Sequence, residues 1–271
     1  MIQRITDLQG LEGFINDIKE DECFSDPHFS FDSKNLYMNI NEKHYYLYCV
    51  KDNSKIIGLF LYAIIPNDLY IEQVVGFSRS KEAYSEMLEF LRVEYSGFQI
   101  DFVFNPKNIA LKTVLEERNA TIECEEQKMM WEKSDSREIY VSPNVVELSS
   151  QYEDVYKKLH TEDTYWTADR ILNRKDVFAV YLLKDNENVV GYIDVTINQD
   201  VNEPYDLWVS SKFSSLENKK ALISYSQNRN DTERMMVVLG VDDKETVRAY
   251  EECGFKKLVG QNSIYASYVL E

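Results

Sequence analysis

The sequence predicts an α/β protein, a mixed sheet of the α+β kind laid out twice in tandem. Three observations predict it: a strand–turn–strand pattern that recurs in each half, an amphipathic helix after a third strand in each half, and a polar stretch between the halves. In the first half, residues 45–50 read as a strand, 51–54 as a turn and 55–62 as the returning strand. Residues 177–183, 184–188 and 189–196 repeat that order, with Gly58 and Gly191 in equivalent places and Asp-Asn chemistry in both turns.

A third strand follows in each half, at 69–75 and 205–209. The spacing then predicts a helix over 80–94, with Tyr84, Met87, Leu88 and Leu91 on one face, and another over 216–227 with Ala221, Leu222 and Tyr225 inward. Strands at 98–104 and 234–239 lead into short helices whose ends, 115–120 and 250–255, are parallel in sequence. Each half closes on a strand, at 127–132 and 263–269. The polar run 133–138 is the natural linker, which places two domains at 1–135 and 136–271.

Composition narrows the function. Across 271 residues, 47 Asp and Glu against 30 Lys and Arg leave a formal charge of −17. Such a surface repels phosphate backbones, so a nucleic-acid partner is not expected. No apolar run approaches the roughly 18 to 20 residues that span a bilayer, and the first residues lack a secretory core and cleavage site. A cytoplasmic protein with no membrane partner is the expectation. Cys23, Cys49, Cys124 and Cys253 stand singly, as do His28, His44 and His160, so no metal motif or disulfide framework can be written.

The segment 241–255 carries an acidic residue after a strand, then an amphipathic helix ending in Tyr250, three further residues and Gly254-Phe255. It resembles a signature of the GNAT superfamily of N-acetyltransferases, with Asp243 where that family usually has Asn. Residues 108–120 look similar, keeping Asn108 but carrying Leu115 for the Tyr and Asn119-Ala120 for Gly-Phe. The resemblance covers residues 40–132 and 146–269 and makes the chain two tandem GNAT-like domains, the first degenerate and the second an acetyltransferase domain. Gly254 suits a left-handed helix end, with Phe255 packing back on the sheet.

What the resemblance implies is acetyl-CoA as cosubstrate, no metal, and Tyr250 as the acid that protonates the departing thiolate. A phenol is protonated at neutral pH and suits that role; the other reading of Tyr250 is a core aromatic. The family's pyrophosphate loop is Gly-rich, but here Ser215, Glu217 and Lys219 stand at the glycine positions. Cofactor contacts are therefore expected from Val209, Ser211, Ser214, Ser215, Lys219, Lys220 and Asp243. The first copy, still less well preserved at 76–83, is expected to have lost catalysis.

For the acceptor, the stretch 160–170 is dense in aromatics and carboxylates. Glu162 and Asp163 would attract an amine cation and Tyr165 and Trp166 would offer ring faces, although a capped, solvated helix–loop explains the same residues. Asp194 and Asp206 are further candidates on strands, since an inward carboxylate is costly unless paired or working. His160 is a candidate base or a packing residue. The expected partner is a small-molecule or peptide amine. The alternative is a catalytically silent GNAT-like protein that binds a ligand or serves as a scaffold.

Overall fold

Both halves of the chain fold around the hairpins expected of them. The computed structural model describes residues 1–135, 142–160 and 166–271. Its contacts divide into two units, Met1–Gln127 with Val259–Glu271, and Lys128–Leu258.

The first unit contains β1 (Ile2–Ile5), α1 (Glu12–Lys19), α2 (Pro27–Phe31), α3 (Lys34–Tyr37), β2 (Tyr45–Asp52), β3 (Lys55–Ile65), β4 (Tyr70–Phe77), α4 (Lys81–Glu94), β5 (Gln99–Phe104), α5 (Ile109–Glu117) and the start of β6 (Thr121–Glu132). In the second lie β7 (Val145–Glu147), α6 (Glu153–Leu159), α7 (Ala168–Leu172), β8 (Phe178–Asp185), β9 (Asn188–Thr196), β10 (Pro204–Val209), α8 (Leu216–Arg229), β11 (Arg234–Gly240), α9 (Lys244–Glu252) and β12 (Lys256–Lys257). The last strand, β13 (Ser263–Val269), returns to the first unit.

In the first unit β1 to β4 are antiparallel neighbours in order, and β4 pairs in parallel with β5. Strand β3 is buried on both faces, as a central strand must be. One face carries Phe60 and Tyr62 under Tyr84, Met87, Leu88 and Leu91 of α4, the stripe predicted for that helix. The other face carries Leu59 and Leu61 under Ile15, Ile18 and Phe29 from the α1–α2 region.

The second unit repeats the plan. Strands β7 to β10 form an antiparallel sheet. Tyr156, Ala168 and Ile171 from α6 and α7 cover one face, and Leu222 of α8 and Tyr250 of α9 belong to the core on the other. The likeness extends to an irregularity: each hairpin has a register shift beside its glycine, leaving one extra residue, Ile57 or Val190. The carbonyl of each extra residue accepts from the loop that follows the third strand, Ser78 Oγ on Ile57 at 2.6 Å and Ser210 N on Val190 at 2.9 Å. A bulge increases strand twist, and both copies use its free carbonyl to anchor that loop.

The closing strands differ from expectation. Strand β13, at the end of the second repeat, lies between β5 and β6 in the first unit, where Ala266 faces Phe102 on one side and Ile122 on the other. The latter half of β6, at the end of the first repeat, serves the second unit: Met129 and Met130 pair with Lys257 and Lys256 of β12, and β11 is its neighbour. The two repeats thus exchange their terminal strands. The division falls at residue 127 rather than 135, and 259–271 belong with the first unit rather than the second. Half of the expected linker, 136–138, lies outside the described residues.

Candidate active site

The site in the second unit grows from two helix ends and a pair of parting strands. Helix α9 begins where Asp243 accepts the Thr246 N–H at 3.0 Å, an N-cap worth about 1 kcal/mol. Asn108 does the same for α5 through Leu111 N, so the acidic residue at position 243 keeps the capping role. The helix ends in a Schellman turn: Gly254 has φ +90°, and Phe255 N donates to Tyr250 O at 3.0 Å. The Phe255 and Tyr250 rings then meet edge to face at 4.9 Å. This fixes Tyr250 in the core that Met235 and Val237 of β11 and, at its margin, Leu207 and Val209 of β10 also line.

Tyr250 is fully buried, and its hydroxyl has no hydrogen-bond partner among the described residues. Burial holds its pKa well above the ordinary phenol value, and the nearby Cys253 thiol, Asp206 and Glu203, anionic when deprotonated, add to it. A buried hydroxyl without a partner is costly. Asn202, two residues before β10, makes an isolated parallel bridge to Met235 of β11, and among the described residues no ladder joins β10 to β11, so past the bridge the two strands part.

On the other face of the sheet, Tyr192 and Asp194 of β9 point the same way, being two residues apart on a strand. Asp194 is fully buried and accepts from Tyr156 Oη at 2.9 Å and from His160 Nε2 at 3.1 Å, while Tyr192 Oη donates to Asp206 on β10 at 2.5 Å. Burial pushes the Asp194 carboxyl up to about 6, against the lowering pull of His160 and Tyr156. Rings of His160, Tyr192 and Trp208 stack in series, 5.6 and 5.9 Å apart. Trp166 packs on Phe178 on this same face at 4.8 Å. Among the described residues, His160, Asp194 and Asp206 are the group that could take a metal ion, their ligand atoms lying within 4.8 Å of one another. Both oxygens of Asp194 already accept hydrogen bonds, and so does one of Asp206.

The loop 210–215 is exposed at Ser211, Ser214 and Ser215. Ser215 caps α8 through Asn218 N, and Asn218 Nδ2 returns to Phe213 O at 2.7 Å. The two lysines do not face that loop. Lys219 is buried and donates to Glu245 at 3.0 Å and Thr246 at 2.8 Å, while Lys220 bridges Glu217 and Glu252. Both ammonium groups are held by carboxylates of α8 and α9 themselves. Glu162, Asp163 and Tyr165 lie outside the described residues. The structure thus joins Asp194, Asp206, His160 and Trp166 on one face and sets Tyr250 apart at the parting strands. Sequence reading missed Tyr156 and Tyr192; the alternation through Tyr192 and Asp194 was the available signal for the second, and none marks the first.

No family model matches the chain, and no curated protein is similar to it. Solved structures are. A GCN5-related N-acetyltransferase from Sphaerobacter thermophilus superposes with a TM-score of 0.62 at 8% identity, over 100% of this chain and 96% of its own. A functionally unknown conserved protein from Staphylococcus epidermidis gives 0.58 at 12%, over 82% and 93%. A tandem GNAT protein from the clavulanic acid biosynthesis pathway gives 0.52 at 8%, over 100% and 99%. The fold is that of the GNAT acetyltransferases. Its likeness over the whole length to a tandem member agrees with two units of one plan.

Proposed function

We propose that the chain is an acetyl-CoA-dependent N-acetyltransferase whose working site lies in the second unit, where β10 parts from β11. The observation that carries this reading is the buried, unpartnered hydroxyl of Tyr250 beside the parting strands. The edge of β10 turned away from β9 offers backbone donors and acceptors to the amides of an extended ligand. The N–H groups at the start of α8, with Ser211, Ser214 and Ser215 nearby, form the anion end. Acetyl-CoA supplies the activated acetyl group; Val209 and its neighbours on β10 hold and orient it.

The protein's own residues then handle two protons. An amine acceptor must lose one before it attacks, and the partly exposed Asp206, joined through Tyr192 to the face holding Asp194 and His160, is placed to receive it. Behind it Asp194, whose own carboxyl burial raises to about 6, is poised to share that proton at neutral pH. Trp166 and Trp208 line the same face and suit a cationic acceptor. Tyr250 donates the second proton to the departing thiolate. Burial keeps the phenol neutral, and the same burial makes a desolvated thiolate more basic, so the transfer remains matched.

A second reading, a silent ligand-binding or scaffold protein, is favoured by one observation: Lys219 and Lys220 are engaged by carboxylates, leaving the phosphate end without their charge. Calorimetric titration with acetyl-CoA, repeated on Ser215→Trp, separates the two. Saturable binding that the variant loses supports the enzyme. Absence of binding at millimolar acetyl-CoA overturns it.

A further inference from the structure

The first unit has the same pair of diverging strands, but its groove is filled from within. Strand β4 pairs with β5 only from Tyr70 to Gln73, after which the two separate. Beyond that point the outward edge of β4 presents the Val74 carbonyl and the Gly76 N–H, two residues apart and therefore on one side of the strand. Val74 is the bulge residue, since Val75 faces Leu61 while Gln73 faces Tyr62. Both groups are taken by side chains of one upstream segment. Gly76 N donates to Asp26 Oδ2 at 2.8 Å, and His28 Nδ1 meets Val74 O at 3.1 Å.

The same segment is tied down on both sides. Arg79, in the short loop before α4, binds Asp17 at 2.6 Å and Asp21 at 2.8 Å, and Asn105, just after β5, donates to the Glu22 carbonyl at 3.0 Å. The other oxygen of Asp26 caps α2 through Phe29 N at 2.9 Å, and Asp26 is buried. Gln73 is also buried, its amide lying over Gly76 where a larger residue would collide. The loop into α4 is short as well: only three residues, 78–80, separate β4 from the helix, against six, 210–215, in the second unit.

We infer that Asp26 and His28 act as an internal ligand, an acceptor and a donor that satisfy the open edge of β4, so that the first unit is a closed groove and the chain has one cofactor site rather than two. The closure stands on its own hydrogen bonds and does not require that the second unit transfer acetyl groups.

Amide hydrogen exchange on the full chain tests it. Gly76 N–H is given to Asp26, so its protection reports that bond. It is expected to exchange at least tenfold more slowly than an exposed glycine amide, and at least tenfold faster in Asp26→Asn than in the wild type, because one carbonyl oxygen cannot serve both Phe29 and Gly76. The β2–β3 amides of Leu47 and Leu61 serve as the internal reference for folding. Should Asp26→Asn unfold the unit, the wild-type rate of Gly76 alone decides: an unprotected amide overturns the closure. Acetyl-CoA is then added to the wild type. The inference expects Gly76 to be unchanged, and a ligand-induced change at Gly76 overturns it. Unchanged amides throughout β10 would count against the transferase reading and leave the closure standing.

Discussion

The Phe255 backbone N–H closes onto the carbonyl of Tyr250 at 3.0 Å while their rings meet edge-on, so one helix ending both stops α9 and aims the phenol. In the first unit Ala120 N reaches Leu115 O by the same turn at 3.0 Å, with Asn119 in the left-handed position at φ 56°. The turn has been kept in both copies, whereas the hydroxyl occurs in one. Structure therefore accounts for the turn, and Tyr250 is the residue that needs a further reason.

Tyr250→Phe separates stability from activity. Removing a buried hydroxyl that has no partner should stabilise the fold by about 1 kcal/mol, read as a higher midpoint in urea. Acetyl transfer should fall about a hundredfold in kcat with KM for acetyl-CoA little changed, the loss expected of a missing general acid. Turnover that is unchanged at every pH removes Tyr250 from the chemistry.

Gly254→Ala should destabilise the second unit by about 1 kcal/mol, because a Cβ strains the left-handed backbone at φ +90°. The nearest atom to that Cβ would be Trp131 Cδ1 at 3.5 Å, an ordinary contact, so the loss is conformational and not steric. Gly254→Asn should cost less, as Asn119 already holds the equivalent place. Equal losses for Ala and Asn in equilibrium unfolding would contradict this account.

Asp194 sets a pH window. Its carboxyl is raised to about 6 in the fold from 3.8, so between these values the native state holds a proton that the unfolded chain has released. Its contribution to stability therefore falls as pH rises through that window. Asp194→Asn should flatten this part of the stability profile and remove the acid limb near pH 6 from kcat/KM. A wild-type limb that persists in the variant assigns it to another group.

Deleting residues 263–271 should unfold the first unit rather than the second. Strand β13 is interior there, between β5 and β6. Hydrogen exchange should show lost protection at β5 and retained protection at β8 and β9. The opposite pattern would mean that the terminal strands are not exchanged in solution.

Much of the plan was legible in the residues themselves. The hairpins at 45–62 and 177–196, the stripe of α4 and the Gly254 turn rest on contacts within a few positions of one another, where alternation, helical spacing and cap chemistry act. The positions of Lys219 and Lys220 were not legible, because a cation in an acidic chain has many carboxylates to choose from and only packing selects Glu245 or Glu252.

What the sequence alone determined, then, is the order of elements, the twofold repeat and the residues that cap and end the helices. Tertiary structure decided which strand each repeat closes on, which side chains fill the first groove, and that Tyr192, Asp194, Asp206 and His160 share one face. Those outcomes join residues far apart in the chain, such as Gly76 with Asp26 and Phe102 with Ala266. A β-strand edge accepts any strand of suitable pattern, so its partner is chosen by the packing of the whole unit and not by the strand's own residues.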